Sequence, residues 1–149
     1  MTDERPSPEH VPPPGLDDET IVALGDLSEA LETVERARGH LYSFHQLSGS
    51  ADLTLQRGVA GLRMTGHVEL AEEIEAGLVG RNVLPGMWSF QIVEAYDDGY
   101  WSVFRRYEHK SREMLAGGRR HLFEARMKER ERTRGRRGHE GVPPGAPTA

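Results

Sequence analysis

Three polar side chains stand at positions where the helical periodicity of the sequence expects apolar ones. Arg38 and His45 lie two turns apart on one face, in the centre of an apolar arc, and His67 falls inside the arc of the next helical segment. A buried guanidinium keeps its proton and needs a carboxylate or several carbonyl groups as partners. We therefore predict a polar interior site at Arg38, His45 and His67 that binds a small anion. A purely structural polar network is the alternative interpretation.

A second group of binding side chains is predicted in the stretch VGRNVLPGMW, which breaks the helical pattern with Pro85 and Gly86. Loops on a rigid scaffold often hold binding groups. Arg81 can bind a carboxylate or phosphate, Trp88 can stack on a ring, and Asn82 lies between them in the same stretch. We expect these three residues to contribute to the same ligand site. A helix connection that is closed by Trp88 would give the same pattern without a ligand.

Carboxylates on two helical segments suggest a different chemistry. Glu69 and Glu72 in ELAEE, with Glu94 and Asp97 in EAYD, resemble the metal-binding acids of the MazG-type nucleotide pyrophosphohydrolases. The resemblance implies an all-α enzyme that holds Mg²⁺ with carboxylates from two helices, and oxygen ligands suit that metal. The sequence departs from the family in its third acid, Glu75, which stands on the wrong side of the helix. A solvated acidic face is the alternative, and it needs no cofactor.

Composition excludes several classes of protein. The chain has 149 residues and no cysteine, so disulfides and thiolate metal sites are excluded. No apolar run approaches the roughly 18 residues that a membrane span needs, and no signal-peptide pattern opens the chain. We therefore expect a cytoplasmic protein that has no membrane partner.

Charge is distributed unevenly although the net charge is only −5. Residues 1–35 carry ten acids and one base, whereas residues 105–137 carry thirteen bases and five acids. The basic segment has no interleaved aromatic residues and no groove-reading motif, which disfavours nucleic acid as a partner. Attraction between the acidic and basic regions, within a chain or between copies in a homo-oligomer, is the alternative that the sequence permits.

Four helical segments are predicted from the spacing of apolar residues. The first begins at Asp26 and ends at Gly49–Ser50, and the second covers 51–79. The third passes through Asp97-Asp98-Gly99 as a helix rather than a hairpin, because its apolar residues share an arc of about 120°. The fourth covers 119–131. Glycines inside the second segment each cost roughly 1 kcal/mol, and we expect close approach of a neighbouring helix to compensate.

These patterns predict an all-α protein, an antiparallel bundle of three long helices plus a short C-terminal fourth. The bundle is expected over 16–132 as a single domain. Segments 1–15 and 133–149 are rich in Pro, Gly and Arg, and we expect both to be disordered tails. The predicted function is binding of a small anionic ligand, or of another protein, at a polar interior site. The Mg²⁺-dependent pyrophosphohydrolase is the alternative, so the sequence leaves open whether the protein is an enzyme.

Overall fold

Helices form all the regular secondary structure in residues 5–142, the part of the chain that the computed structural model describes. Helix accounts for 71% of these residues, so the all-α prediction is confirmed. The five α-helices are α1 (Asp18–Met64), α2 (Val68–Gly77), α3 (Ser89–Tyr96), α4 (Ser102–Ala116) and α5 (Leu122–Glu131). A short 3₁₀ helix covers Pro8–His10, and a π-helical segment, Asp97–Trp101, joins α3 to α4.

The first helix corrects the predicted boundaries. We expected a break at Gly49–Ser50, but α1 continues through it for 47 residues. A glycine costs a helix only about 1 kcal/mol, whereas a break leaves up to four N–H and four C=O groups without helical partners. The helix ends instead at Gly66, whose φ is +89°. There the N–H of His67 donates to the carbonyl of Leu62 (2.8 Å) and that of Gly66 to Arg63 (3.2 Å), the two bonds of a Schellman motif.

The predicted second helix, 51–79, is therefore divided between the end of α1 and the ten residues of α2. The described chain has two long helical stretches, α1 and the continuous run from α3 to α4, rather than the three expected. The predicted path through Asp97-Asp98-Gly99 is confirmed as helical, with a π turn in place of a regular α turn. A π turn of this kind inserts one residue into a helix and is frequent at functional sites.

The described residues form two compact units. The terminal unit contains the residues up to Thr33 and those from Val103 onward, and the central unit is Val34–Ser102. The terminal unit has a small core of Ile21, Ala116 and Leu122, against which Leu16, Leu24 and Phe123 pack. The single domain over 16–132 stays a prediction from the sequence.

The predicted tails lie partly outside the described residues, which exclude 1–4 and 143–149. The described part of the N-terminal segment carries the 3₁₀ helix, and Ser7 beside it is buried. The described part of the C-terminal segment contains turns at Gly135 and Gly138, both with positive φ. Among the residues described, no helix is both long enough and apolar enough to cross a membrane.

Within the central unit, the contacts of α1 run in antiparallel order. Residues of rising number on α1 meet residues of falling number on the segment from 80 to 101. The pairs are Glu35 with Trp101, Arg38 with Asp97, His45 with Ser89, and Asp52 with Gly80. This order brings the predicted polar positions of α1 alongside the loop that follows α2.

Candidate functional site

Arg38 has the acidic partner that the sequence predicts. Its Nε and Nη2 donate to the two carboxylate oxygens of Asp97 at 2.6 and 2.8 Å. Both side chains are about three-quarters buried, at 27% and 24% exposure. The hydrogen bond from Arg38 lowers the pKa of the Asp97 carboxyl, and desolvation opposes it only in part. The same bond raises the pKa of the guanidinium. The pair is therefore ionised on both sides.

Two aromatic rings also lie close to the Arg38 guanidinium. The Trp101 ring lies 4.4 Å from it and the Tyr42 ring 5.1 Å, both within cation–π range. Trp101 is held in turn, because its Nε1 donates to Glu35 at 3.0 Å. Through the carboxylate of Asp97 and the ring of Trp101, Arg38 links α1 to the π turn. The anion site centred on Arg38 stays a prediction from the sequence.

The two histidines have different positions. His45 is half-buried, and its Nδ1 lies 2.8 Å from the hydroxyl of Ser89, the first residue of α3. His67 is exposed at the N-terminal boundary of α2, so the predicted enclosure of its side chain is wrong. The cause is the Schellman motif, which ends α1 before His67 and removes it from the buried arc that a continuous helix would have given it.

The loop residues of the prediction are brought together in one cleft of the central unit. The cleft has a volume of about 160 Å³ and lies between α1 and the loop that joins α2 to α3. It is lined by Ser48, Gly49, Asp52, Gly80, Arg81, Asn82, Val83, Trp88 and Ser89. Arg81, Asn82 and Trp88 were predicted as ligand-binding residues, and His45 reaches the cleft wall through Ser89.

Asp52 binds the loop at one side of this cleft, a role that no sequence pattern indicated. One carboxylate oxygen accepts the backbone N–H of Gly80 at 2.8 Å, and the other accepts the Gln56 side-chain amide at 2.7 Å. The Gly80 bond, followed by the Gln56 bond, lowers the pKa of Asp52. Gly80 has a φ of +70°, a conformation that favours glycine. The Asp52 carboxylate on α1 thus forms a hydrogen bond with the start of a loop that lies 28 residues later in the chain.

Two side chains of the cleft present binding groups to solvent. Trp88 is 58% exposed and packs edge-on against Phe90, with ring centroids 5.4 Å apart. Its backbone N–H donates to the side chain of Gln91, which fixes the start of α3. The Arg81 guanidinium donates one bond to the carbonyl of Gly77 at 3.3 Å, at the end of α2, which leaves further N–H groups for another acceptor.

The acidic residues of the alternative hypothesis do not assemble a metal site. Glu69, Glu72 and Glu94 are exposed, and Asp97 is bound by Arg38. Within residues 5–142, no group of three His, Asp or Glu side chains is placed to hold a metal ion. The four carboxylates of the alternative interpretation therefore do not form such a group in the described residues.

Comparison with protein-family models, with curated proteins and with solved structures finds nothing that matches this chain.

Proposed function

We propose that the chain is a binding protein whose cleft at Arg81, Asn82 and Trp88 takes a small molecule with an acidic group beside a planar ring. The observation that carries this proposal is the convergence of these residues with Ser89 around one cleft. They supply a guanidinium, an amide, an indole face and a hydroxyl. Ligand sites of soluble proteins combine an apolar wall with a few placed polar groups in this way.

The acidic group of the ligand is assigned to the Arg81 side of the cleft. Arginine binds carboxylates and phosphates through paired N–H donors. Ser89, at the start of α3, adds its hydroxyl and the positive end of the helix dipole. The planar part of the ligand is assigned to Trp88, whose exposed indole offers a stacking surface. Asp52 acts on the protein itself, because both of its oxygens already accept hydrogen bonds.

The size of the cleft limits the ligand. Its volume of about 160 Å³ is well below the roughly 300–1,000 Å³ that drug-sized ligands occupy. A single ring with one acidic substituent fits this volume, whereas a nucleoside triphosphate does not. The proposed ligand class is therefore an aromatic or heteroaromatic acid.

The test uses three matched probes: benzoate carries both groups, benzyl alcohol only the ring, and inorganic phosphate only the charge. We expect benzoate to change the tryptophan fluorescence, and Trp88→Phe to abolish this change while Trp101 remains. Arg81→Ala should weaken benzoate binding by about tenfold or more, since it removes a charge-assisted contact. Arg57→Ala is the matched control, because Arg57 is an exposed arginine of α1 outside the cleft.

Equal binding of benzoate and benzyl alcohol would show an apolar surface without an anion site. No fluorescence or calorimetric response to any probe would overturn the proposal. The antiparallel order of contacts on α1 supports the predicted bundle as the scaffold of this site. The cytoplasmic location stays a prediction from the sequence.

A further inference from the structure

In the terminal unit, α4 packs against its surroundings through its polar edge. Glu108 accepts a hydrogen bond from the hydroxyl of Ser28 at 3.2 Å and another from Arg112 Nε at 3.2 Å. Arg112 also donates to the carbonyl of Gly118 at 3.0 Å. The two charged side chains are only 11% and 14% exposed, and Ala116, one turn further on the same edge, is fully buried.

The opposite side of α4 is the apolar one, and it faces solvent. Val103, Tyr107 and Met114 are 40%, 57% and 71% exposed. Together with Lys110 they lie within about 60° of one another at 100° per residue, and we call these four residues the α4 arc. An amphipathic helix normally buries its apolar face and exposes its polar one. The spacing of the arc, at four, three and four residues, is that of a coiled-coil seam.

We propose that a second copy of this chain covers the α4 arc, with the two α4 helices antiparallel about a two-fold axis. This orientation places Val103 opposite Met114 of the second copy, and Tyr107 opposite Lys110 of the second copy. Each ammonium then lies beside the phenol ring of Tyr107, which also has the Arg106 guanidinium of its own chain 5.2 Å from its centroid. A parallel pairing would instead set Lys110 against its own copy. Like charges that face each other destabilise such a pair.

The edge of the arc is self-complementary in charge. Arg106 and Glu113 lie on the same side of α4, about two turns apart. An antiparallel two-fold axis brings this edge against the same edge of the second copy, so that each Arg106 meets the Glu113 of the other chain. The two symmetric pairs would favour a second copy over an unrelated apolar partner. The α4 arc does not include the ligand cleft, so the two proposals stand or fall separately.

Sedimentation equilibrium of the full chain tests the proposal. A seam of four positions on a helix of 15 residues should give a weak dimer, measured as an average mass that rises with protein concentration. Tyr107→Glu should shift the chain to monomer over the same concentrations. Leu115→Glu is the matched control, since Leu115 is 49% exposed on the same helix but lies outside the arc. Circular dichroism establishes that both variants keep their helix content.

A charge exchange distinguishes the second copy from any other partner. Arg106→Glu and Glu113→Arg should each weaken the dimer several-fold, and the double variant should restore it, because the pairs are re-formed with reversed sign. Arg81→Ala should leave the dimer unchanged. A wild-type chain that stays monomeric well above micromolar concentration would overturn the proposal. Equal dissociation by Tyr107→Glu and Leu115→Glu, or a double variant weaker than both singles, would overturn it as well.

Discussion

The glycines of α1 have different surroundings in the two units that this helix enters. In the terminal unit, a Cβ added to Gly25 would lie 2.9 Å from Cγ and 3.0 Å from Cβ of Phe123. In the central unit, a Cβ added to Gly39, Gly49, Gly58 or Gly61 would meet nothing within 4 Å. A close neighbour therefore explains the glycine at position 25. No such neighbour within the described chain explains the other four glycines. Frequency of glycine alone does not reveal a close helix contact.

The largest effect is expected at Gly25. Gly25→Ala would force apart α1 and the first turn of α5, because the clash is with atoms at the base of the Phe123 side chain rather than with its flexible end. Overpacking of this kind costs up to about 3 kcal/mol, and the preference of a helix for alanine over glycine offsets about 1 kcal/mol of that cost. We expect the free energy of unfolding, measured with urea, to fall by roughly 2 kcal/mol. The loss from Gly25→Ala should be smaller in a Phe123→Ala background, which lacks the clashing Cγ, and an unchanged stability of the single variant would contradict the close approach.

The opposite sign is expected at Gly61. Gly61→Ala adds a methyl group in open space on a helix, and alanine is favoured over glycine there by about 1 kcal/mol. The urea midpoint should therefore rise, and Gly58→Ala should behave in the same way. A loss of stability at either position would show that another chain approaches this face of α1 closely. Such a loss would mean that the glycines of the central unit have a close neighbour, as Gly25 does, and that the two units do not differ in this respect.

This contrast also explains which parts of the fold the sequence could predict. The spacing of the apolar residues correctly predicted that Asp97-Asp98-Gly99 is helical, because the helical period is read from many positions at once. The predicted helix boundaries were wrong where they depended on whether a single glycine ends a helix. Gly49 continues a helix, whereas Gly66 adopts a positive φ and ends one. Composition does not distinguish these outcomes, since they depend on the bonds that the following residues make.

The candidate site was predictable to the extent that it is local in sequence. Arg81, Asn82 and Trp88 lie in one loop, so their common cleft follows from their proximity along the chain. The long-range parts were not predictable individually. Arg38 was expected to have an acidic partner, but Asp97 could not be chosen from among many acids 59 or more residues away, and Asp52 carried no signal. The period of the apolar residues likewise identified the apolar side of α4. It did not predict that the opposite, polar side of that helix is the buried one.

A smaller effect is expected when a residue is replaced by glycine, at His121 in the terminal unit. Its φ of 58° is the only positive value among the non-glycine residues described. Left-handed backbone is unfavourable for a residue with a Cβ, although histidine tolerates it better than most. His121→Gly should raise the free energy of unfolding by about 0.5 kcal/mol, after allowing for the greater entropy of glycine in the unfolded chain. His121→Val should lower it. Equal effects of the two substitutions would mean that the backbone conformation there is not strained.

The smallest effect concerns the pH dependence of the stability that the Arg38–Asp97 ion pair gives to the central unit. Because Arg38 lowers the pKa of Asp97 in the folded state, the ionised pair stabilises the fold above the unfolded pKa of about 3.9. This stabilisation is lost as the pH falls further, through the lower folded pKa. Since both side chains remain about a quarter exposed, solvent screens the pair and the effect should be modest.

Asp97→Asn isolates that contribution. The urea midpoint of the wild type should exceed that of Asp97→Asn at neutral pH, and the difference should narrow as the pH falls below about 4. Asp98→Asn is the matched control, because Asp98 is the neighbouring carboxylate of the same turn and is exposed. Asp98→Asn should leave the urea midpoint at neutral pH close to that of the wild type, because the side chain is exposed. A gap for Asp97→Asn that stays constant from pH 7 to about pH 2 would mean that packing around the π turn, rather than the charge pair with Arg38, holds α1 there.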